Sequence, residues 1–300
     1  MLSHPDLDDL AGRRVWIKAE ALQKTGSFKY RGARAAMSLL TDDELSRGVI
    51  AVSSGNHAQG VALAALELGT TALIIMPIDA PKAKIEATRA LGAEIVFYDR
   101  ETDDRETVAA THAKQRVLIR PYDDLRVIAG QGTVGLEIAQ HAKGLGIKTA
   151  QVLVPCGGGG LSAGIALALA AEAPDLRLRT VEPIGFDDMA RSLKEGAHAT
   201  NEKRAGSICD AILTPTPGKL TFPILAQHAL AGMSVRDEDS LLAMKAAHQS
   251  LGVTLEPGGA IALAAALFQP QNITGDDVIV VASGGNVDAA LLAQALVSIG

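Results

Sequence analysis

A lysine at the mouth of an alanine-rich run offers the most chemistry in this chain: Thr25-Gly26-Ser27-Phe28-Lys29-Tyr30-Arg31-Gly32. Ser27 is a good N-cap, and Ala33, Ala35, Ala36, Met37, Leu39 and Leu40 continue as a helical run. That spacing puts Lys29 in the first turn of a helix, where backbone N–H groups lack partners and the dipole is positive. Such a place favours an anion and lowers the pKa of an amine. A neutral amine is what a lysine needs in order to form a Schiff base with a carbonyl. On this stretch alone, an ordinary surface lysine near a helix start is an equal reading.

A second group of residues calls for a phosphate. Gly157-Gly158-Gly159-Gly160 follows an apolar strand and opens an apolar helix. Glycine lets backbone approach a ligand closely, and the helix start offers N–H donors. A tight strand-to-helix turn alone needs one or two glycines. The spacing is neither Gly-x-Gly-x-x-Gly nor Gly-x-x-x-x-Gly-Lys-Ser/Thr, so a small monophosphate is favoured over a dinucleotide or a nucleoside triphosphate. Three further polar loops, Ser53-Ser54-Gly55-Asn56-His57, Glu256-Pro257-Gly258-Gly259 and Ser283-Gly284-Gly285-Asn286, also follow apolar strands.

The elements that must hold these loops alternate at short spacing. Strands are expected at Val15–Lys18, Val49–Val52, Ala72–Met76, Ile95–Tyr98, Val117–Ile119, Gln151–Val154, Leu176–Val181 and Val278–Val281. Helices follow most of them: Ala58–Leu68 stopping at Gly69, Pro81–Leu91, Arg105–Lys114, a helix capped by Thr133 through Ala142, Leu161–Ala171, Glu238–Leu251 capped by Asp237, and Ala260–Phe268. Residues 195–206 are polar and turn-rich and read as a surface loop. The alternation predicts an α/β protein with two doubly wound parallel sheets: a large domain over 1–48 and 125–300, with a small domain over 49–124 inserted in it. Ligands of such sheets bind beyond the carboxyl ends of the strands, where all the polar loops fall.

Composition narrows the partners. The net charge is −6 and aromatic residues are 3% of the chain, which excludes a basic nucleic-acid surface or a stacking platform for single strands. No apolar run reaches the ~20 residues of a membrane span, and no signal peptide is visible at the start. The two cysteines, Cys156 and Cys209, show neither metal-ligand spacing nor a disulfide framework, so a cytoplasmic protein is expected.

Lysine, phosphate cup and polar loops together suggest pyridoxal phosphate, and here a resemblance emerges. Lys18-x-Glu20 with Thr25-Gly-Ser-Phe-Lys29-x-Arg31-Gly-Ala33 resembles the cofactor-lysine signature of the serine/threonine dehydratase family, which has the tryptophan-synthase-β type of fold. Ser53–Gly60, Val127–Thr133, Pro155–Leu161 and Ser283–Asn286 match the same family in order, across essentially the whole chain. The resemblance implies that Lys29 forms the Schiff base and acts as base on one face of Cα, with Phe28 against the cofactor ring. It implies that Gly157, Gly158, Gly159 and Gly160 hold the phosphate, Asn56 the phenolic oxygen and Ser283 the pyridine nitrogen. A neutral hydroxyl there makes the ring a weaker electron sink, which suits prompt β-elimination better than transamination. Ser53, Ser54, Asn56 and His57 would receive the substrate carboxylate, with Ser54 placed to move a proton on the other face of Cα. A lone histidine at a helix start is more often structural.

The implied activity is an ammonia-lyase that turns L-threonine or L-serine into the 2-oxo acid, with serine racemase or 3-hydroxyaspartate dehydratase as alternatives in the family. A homodimer or other homo-oligomer is implied as well. The alternatives from other classes are a catalytically silent cofactor-binding protein and a nucleotide-binding protein; retention of Lys29, Ser54 and Ser283 together argues against silence. Arg105 resembles a racemase-family arginine that approaches the substrate side chain, against the alternative of a solvated helix arginine. Glu182-Pro-Ile-Gly-Phe186-Asp-Asp188 resembles a racemase stretch whose counterparts of Glu182, the Phe186 carbonyl and Asp188 bind Mg²⁺, Mn²⁺ or Ca²⁺. The bland alternative is that Asp187 or Asp188 caps a helix and Glu182 faces solvent. Two departures stand out: the chain opens just past the segment with which family members usually begin, and it leaves no room for an appended regulatory domain.

Overall fold

Strand and helix alternate through two units, Met1–Phe28 with Gln131–Gly300, and Lys29–Gly130. The computed structural model describes residues 1–80, 82–99, 101–103, 105–113 and 115–298, without the side chains of residues 83, 105 and 106. The chain enters through helix α1 (Pro5–Ala11), with proline in its first turn where no N–H is missed, and strand β1 (Arg14–Ala19).

The second unit then runs α2 (Lys29–Ser38), α3 (Asp42–Arg47), β2 (Val49–Val52), α4 (Asn56–Leu68), β3 (Ala72–Pro77), α5 (Lys82–Ala90), β4 (Glu94–Tyr98), α6 (Arg105–Ala113) and β5 (Val117–Leu118). Its strands are all parallel in the order β4-β3-β2-β5. The two-residue period of a strand divides its side chains between two faces. Val49, Ala51, Ile74 and Met76 pack with Ala33 and Met37 of α2 and Ala58, Val61 and Ala65 of α4. Ile50, Leu73 and Ile75 pack on the other face with Tyr98 and Ala109. Helices on both faces explain why these strands read as unbroken apolar runs.

Helix α7 (Leu125–Leu145) leads back into the first unit, which continues with β6 (Ala150–Pro155), α8 (Gly160–Glu172), β7 (Leu176–Pro183), α9 (Asp188–Glu195), α10 (Thr221–His228), β8 (Met233–Val235), α11 (Asp237–Leu251), α12 (Pro257–Phe268), β9 (Asp277–Ala282) and α13 (Ala289–Val297). Its parallel sheet has the order β1-β9-β6-β7-β8. Helix α12 is buried from Pro257 to Leu267, which accounts for a sequence apolar all round rather than on one stripe.

Four local expectations are corrected. Ser27 does not cap α2: it is extended, with φ −163°, and its buried hydroxyl has no hydrogen-bond partner. Thr133 lies inside α7, whose start is capped by Asp124, with Arg126 N donating to Asp124 Oδ1 at 2.8 Å. Asp237 is the first residue of α11, and its carboxylate instead accepts from Ser207 Oγ and Ile208 N. The stretch 195–206 is partly internal, because Asn201 is buried and donates to Asp188 and to Thr214 O. Pro81 lies outside the described residues. Helices α1, α3 and α10 and strand β8 had no counterpart in the sequence reading.

The glycines of α7 explain the misplaced cap. They look like helix breakers but are packing notches: a Cβ on Gly130 would lie 2.6 Å from Ala35 Cβ and 2.7 Å from Arg31 O, both on α2. Gly144, near the other end of α7, has nothing within 4 Å of the same point. Gly130→Ala is therefore expected to destabilise the protein by about 1–3 kcal/mol, and Gly144→Ala to stabilise it by about 0.5–1 kcal/mol. Urea midpoints of the two variants check this; matching shifts would mean that the α7–α2 contact is not close-packed.

Candidate active site

In the unit Lys29–Gly130, Lys29 is the first residue of α2, and its Nζ donates to Pro121 O at 2.9 Å. Helix α4 crosses beside it. A Cβ on Gly60 would sit 3.0 Å from Lys29 C and Tyr30 N, so only glycine lets α4 pass the backbone of Lys29 this closely. Ser53 and Ser54 lie in the half-buried turn between β2 and α4, Gly55 is the helix N-cap, and the half-buried Asn56 is the first residue of α4. The first bonds of α4 run from Ala58 N and Gln59 N to Gly55 O. The N–H groups ahead of them, at Asn56 and His57, precede the helical ladder, which is where a carboxylate is best received.

The His57 side chain is structural. It is buried, and Nε2 lies 2.9 Å from Ile119 O, a contact that requires the ring to carry its proton on Nε2. Burial first, and the Lys29 charge second, push its pKa down to about 3, against a smaller opposite effect of the Ile119 hydrogen bond. A neutral ring cannot pair with a substrate carboxylate, so any carboxylate contact of His57 would come from its backbone N–H.

In the other unit, Pro155 ends β6 and Gly159 takes φ +88° to open α8. A Cβ on Gly159 would lie 2.8 Å from both Met189 Cε and Thr221 Oγ1, and one on Gly157 would lie 3.1 Å from Ile212 O. The first intrahelical bond to close is Ala163 N to Gly159 O, at 2.8 Å, which leaves the earlier N–H groups of α8 for a ligand. Thr221, absent from the sequence reading, fixes this turn: its Oγ1 donates to Gly158 O at 2.6 Å, and Gly218 N donates to the same carbonyl at 3.2 Å. A threonine on a separate helix gives no local signal of that role.

Also in this unit, residues 25–28 pair with the loop after β9. Phe28 N donates to Ser283 O at 3.1 Å, Gly285 N to Gly26 O at 2.9 Å, and Asn286 Nδ2 to Thr25 O at 2.8 Å. The loop before α12 joins them: Glu256 N donates to Gly284 O at 3.1 Å and Ser283 N to Gly259 O at 3.3 Å. Lys18 and Glu20 of the sequence motif form a buried ion pair at 2.8 Å, and Glu137 adds a second carboxylate 2.6 Å from Lys18 Nζ. Neither cysteine is a nucleophile. Burial raises both thiols, that of Cys209 to about 12.

Taken by itself, the turn before α8 suits a phosphate: Gly157 and Gly159 are packed too closely for a Cβ, and the first N–H groups of the helix lie ahead of its hydrogen-bond ladder. Taken by itself, Lys29 sets an amine at the start of α2. Residues 1–284 match the family described as pyridoxal-phosphate dependent enzyme. The chain belongs to this family. It is 42% identical to an L-threo-3-hydroxyaspartate ammonia-lyase of Pseudomonas sp. over 97% of this chain and 90% of that protein. The threonine deaminase of T.th. superposes with a TM-score of 0.89 at 42% identity, covering 96% of this chain and 92% of that one. Maize serine racemase superposes with a TM-score of 0.91 at 35% identity, covering 98% and 90%. The expected serine/threonine dehydratase-type family and its two-sheet fold are thus confirmed.

Within that family frame, the expected metal ligands take a different local role. Glu182 is fully buried rather than solvent-facing, and its two oxygens accept from Met189 N and Ala190 N, each at 2.8 Å, so it is Glu182 that caps α9. Among the described residues, no group of three or more His, Cys, Asp or Glu side chains is placed to hold a metal. The side chain of Arg105 lies outside the described residues; its backbone opens α6.

The state of His57 has a pH signature. Between about pH 3 and 6.5 the unfolded chain binds a proton at His57 that the folded chain refuses, so this residue removes stability as pH falls through 6.5 and on toward 3. His57→Gln retains a donor for Ile119 O and does not titrate. Its urea midpoint is expected to fall less than that of the parent between pH 7 and pH 4.5. Parallel curves would show that His57 is protonated in the fold.

Proposed function

We propose that this chain is a pyridoxal-phosphate dependent ammonia-lyase that converts β-hydroxy-α-amino acids to 2-oxo acids. The carrying observation is that Lys29, opening α2, directly follows Phe28, whose backbone is bonded to Ser283 at the end of β9. In this reading Gly157, Gly158, Gly159 and Gly160 bind the phosphate through backbone N–H groups, Ser283 faces the pyridine nitrogen, Asn56 the phenolic oxygen, and Phe28 packs on the ring. Bound pyridoxal phosphate supplies an electron sink that acidifies the substrate Cα–H.

The protein's own groups supply the rest. Ser53, Ser54, Asn56 and the His57 N–H hold the α-carboxylate at the start of α4, and the Lys29 amine takes the Cα proton. The β-hydroxyl leaves with its bonding pair and a proton, as water. The resulting enamine tautomerises and hydrolyses, regaining that water, so the net products are the 2-oxo acid and ammonia. Ser54 moves a proton on the opposite face, which allows some racemisation. L-Serine, L-threonine and 3-hydroxyaspartate all carry the required hydroxyl; similarity to the Pseudomonas relative favours the last. Two buried, unpaired cysteines support a cytoplasmic location.

Lys29→Ala is expected to lower turnover by at least about 1,000-fold and to abolish the borohydride-sensitive visible absorption of the protein incubated with pyridoxal phosphate. Turnover close to that of the parent would sink the assignment, as would a parent protein that stays colourless with the cofactor.

A second reading concerns a divalent cation at Glu182, Asp188 and the Phe186 carbonyl. It is favoured by the buried Asp188 Oδ2, which has no hydrogen-bond partner, and by a pKa of about 6 at Asp188, raised mainly by burial. Burial first, and the Asp188 charge second, also push Glu182 well above the usual carboxylate range, although both its oxygens accept from Met189 N and Ala190 N. Oxygen donors suit Mg²⁺, Mn²⁺ or Ca²⁺, and the role would be to hold the β7–α9 turn. EDTA is expected to lower the Tm by about 5 °C, with recovery on adding Mg²⁺ or Mn²⁺. An identical melting curve with and without EDTA would remove the cation.

A further inference from the structure

Strands β2 and β5 lie side by side and parallel, with Val49 opposite Val117 and Ile50 opposite Leu118. Their carboxyl ends therefore feed adjacent loops, Ser53–His57 from one strand and Ile119–Asp124 from the other. The two loops are tied. Ile119 N donates to Ile50 O at 2.9 Å, and His57 Nε2 donates to Ile119 O at 2.9 Å. Two residues on, Pro121 O accepts from Lys29 Nζ at 2.9 Å. Between these two engaged carbonyls stands Arg120.

Its surroundings leave the Arg120 charge uncommitted. The side chain is exposed and makes no hydrogen bond or ion pair with any described residue. The acid that could have neutralised it, Asp124, is taken by Arg126, whose Nη2 and Nε lie 2.8 Å and 3.1 Å from its two oxygens. An arginine one residue from the carbonyl that holds the reactive amine, with a side-chain reach of roughly 7 Å, has a planar fork suited to a carboxylate. The α-carboxylate already has a receiver in the Ser53–His57 turn and the start of α4. An additional anion-binding group on the neighbouring loop has use only for a substrate with an additional anion.

We propose that Arg120 is a specificity-determining residue that binds the side-chain carboxylate of a dicarboxylic β-hydroxy-α-amino acid, making such an acid the preferred substrate. This rests on the ammonia-lyase reading and narrows it. A substrate without that carboxylate, such as serine, leaves the guanidinium in water and gains nothing from it.

The test compares L-threo-3-hydroxyaspartate with L-serine on the cofactor-loaded enzyme, its Arg120→Gln variant and its Arg120→Lys variant. Loss of one charge-assisted hydrogen-bonding group predicts a fall in kcat/KM of about 30-fold for 3-hydroxyaspartate in Arg120→Gln, carried mostly by KM. The loss on serine should be smaller by at least about 10-fold, and Arg120→Lys should recover part of the difference. Succinate has two carboxylates and cannot react; its inhibition constant should weaken in Arg120→Gln by a factor similar to that in KM, an effect independent of turnover. Equal losses on both substrates, no loss on 3-hydroxyaspartate, or unaltered succinate inhibition would overturn the proposal while leaving the lyase reading intact. Absence of 2-oxo acid from both substrates with the parent enzyme would overturn both.

Discussion

The pairing of residues 25–28 with residues 283–286 is the constraint on which the loops at the end of β9 and before α12 depend. Three hydrogen bonds, from Phe28 N, Gly285 N and Asn286 Nδ2, join segments more than 250 residues apart in sequence. Such closure is costly in chain entropy and is made only where several contacts form together. Gly26 shows how tight the fit is, since a Cβ there would lie 2.5 Å from Asn286 Oδ1, and its φ of +71° is itself a glycine conformation. Gly259 is tighter still, with Gly284 O 2.1 Å from the point a Cβ would occupy. The backbone leading into Lys29 is thus anchored at the end of β9, whatever α2 does beyond it.

Polar groups inside this unit are handled by pairing rather than exposure. Lys18, next to last in β1, is almost buried, and two carboxylates, Glu20 and Glu137, pair with its ammonium. A buried charge that loses a partner costs several kcal/mol, so this triad specifies how β1 must sit more than it adds net stability. Glu182 works differently. It gives both oxygens to the first N–H groups of α9 and in doing so fixes the turn after β7. Its neighbour Asp188 is bonded on one oxygen only, to Asn201, so its carboxylate is half satisfied where that of Glu182 is a finished cap.

The fold was legible because its signals are local. Apolar runs bounded by glycine and proline located most strands of both sheets, and Gly69 marked the end of α4 as expected. The glycine loop after β6 and the loop after β9 stood out for a related reason: each follows an apolar strand, where composition changes abruptly, and Lys29 opens α2 where a helix start was expected. What failed was non-local. Gly130, Gly132 and Gly135 resemble a turn in sequence, yet they are notches in a continuous helix, needed by Ala35, Gly164 and Ala168 of the helices packed against it. Thr221, Ile119 and Pro121 act through contacts with residues far away in the chain, and two of those three act through backbone carbonyls that no side-chain pattern can advertise.

His57 shows how a motif residue can be placed as expected at a helix start while its side chain does other work. The motif places it at the start of α4, beside the turn expected to receive a carboxylate, and a cationic imidazole would be the obvious receiver. Burial settles the matter the other way. A ring sealed against Ile119 O, with the Lys29 charge nearby, stays neutral, because solvation of the cation is lost and its nearest ionic neighbour repels it. On the ammonia-lyase reading, the charge that attracts a carboxylate in this unit must then come from elsewhere. The helix start of α4 contributes only partial charges, shared among its N–H groups, and Lys29 is held to Pro121 O. Arg120 is the cation next along the chain from that carbonyl and has no partner among the described residues. By keeping His57 neutral and pinning Ile119 and Pro121, the fold spends its buried contacts on fixing the loop and leaves full positive charge to an exposed side chain that can follow its ligand.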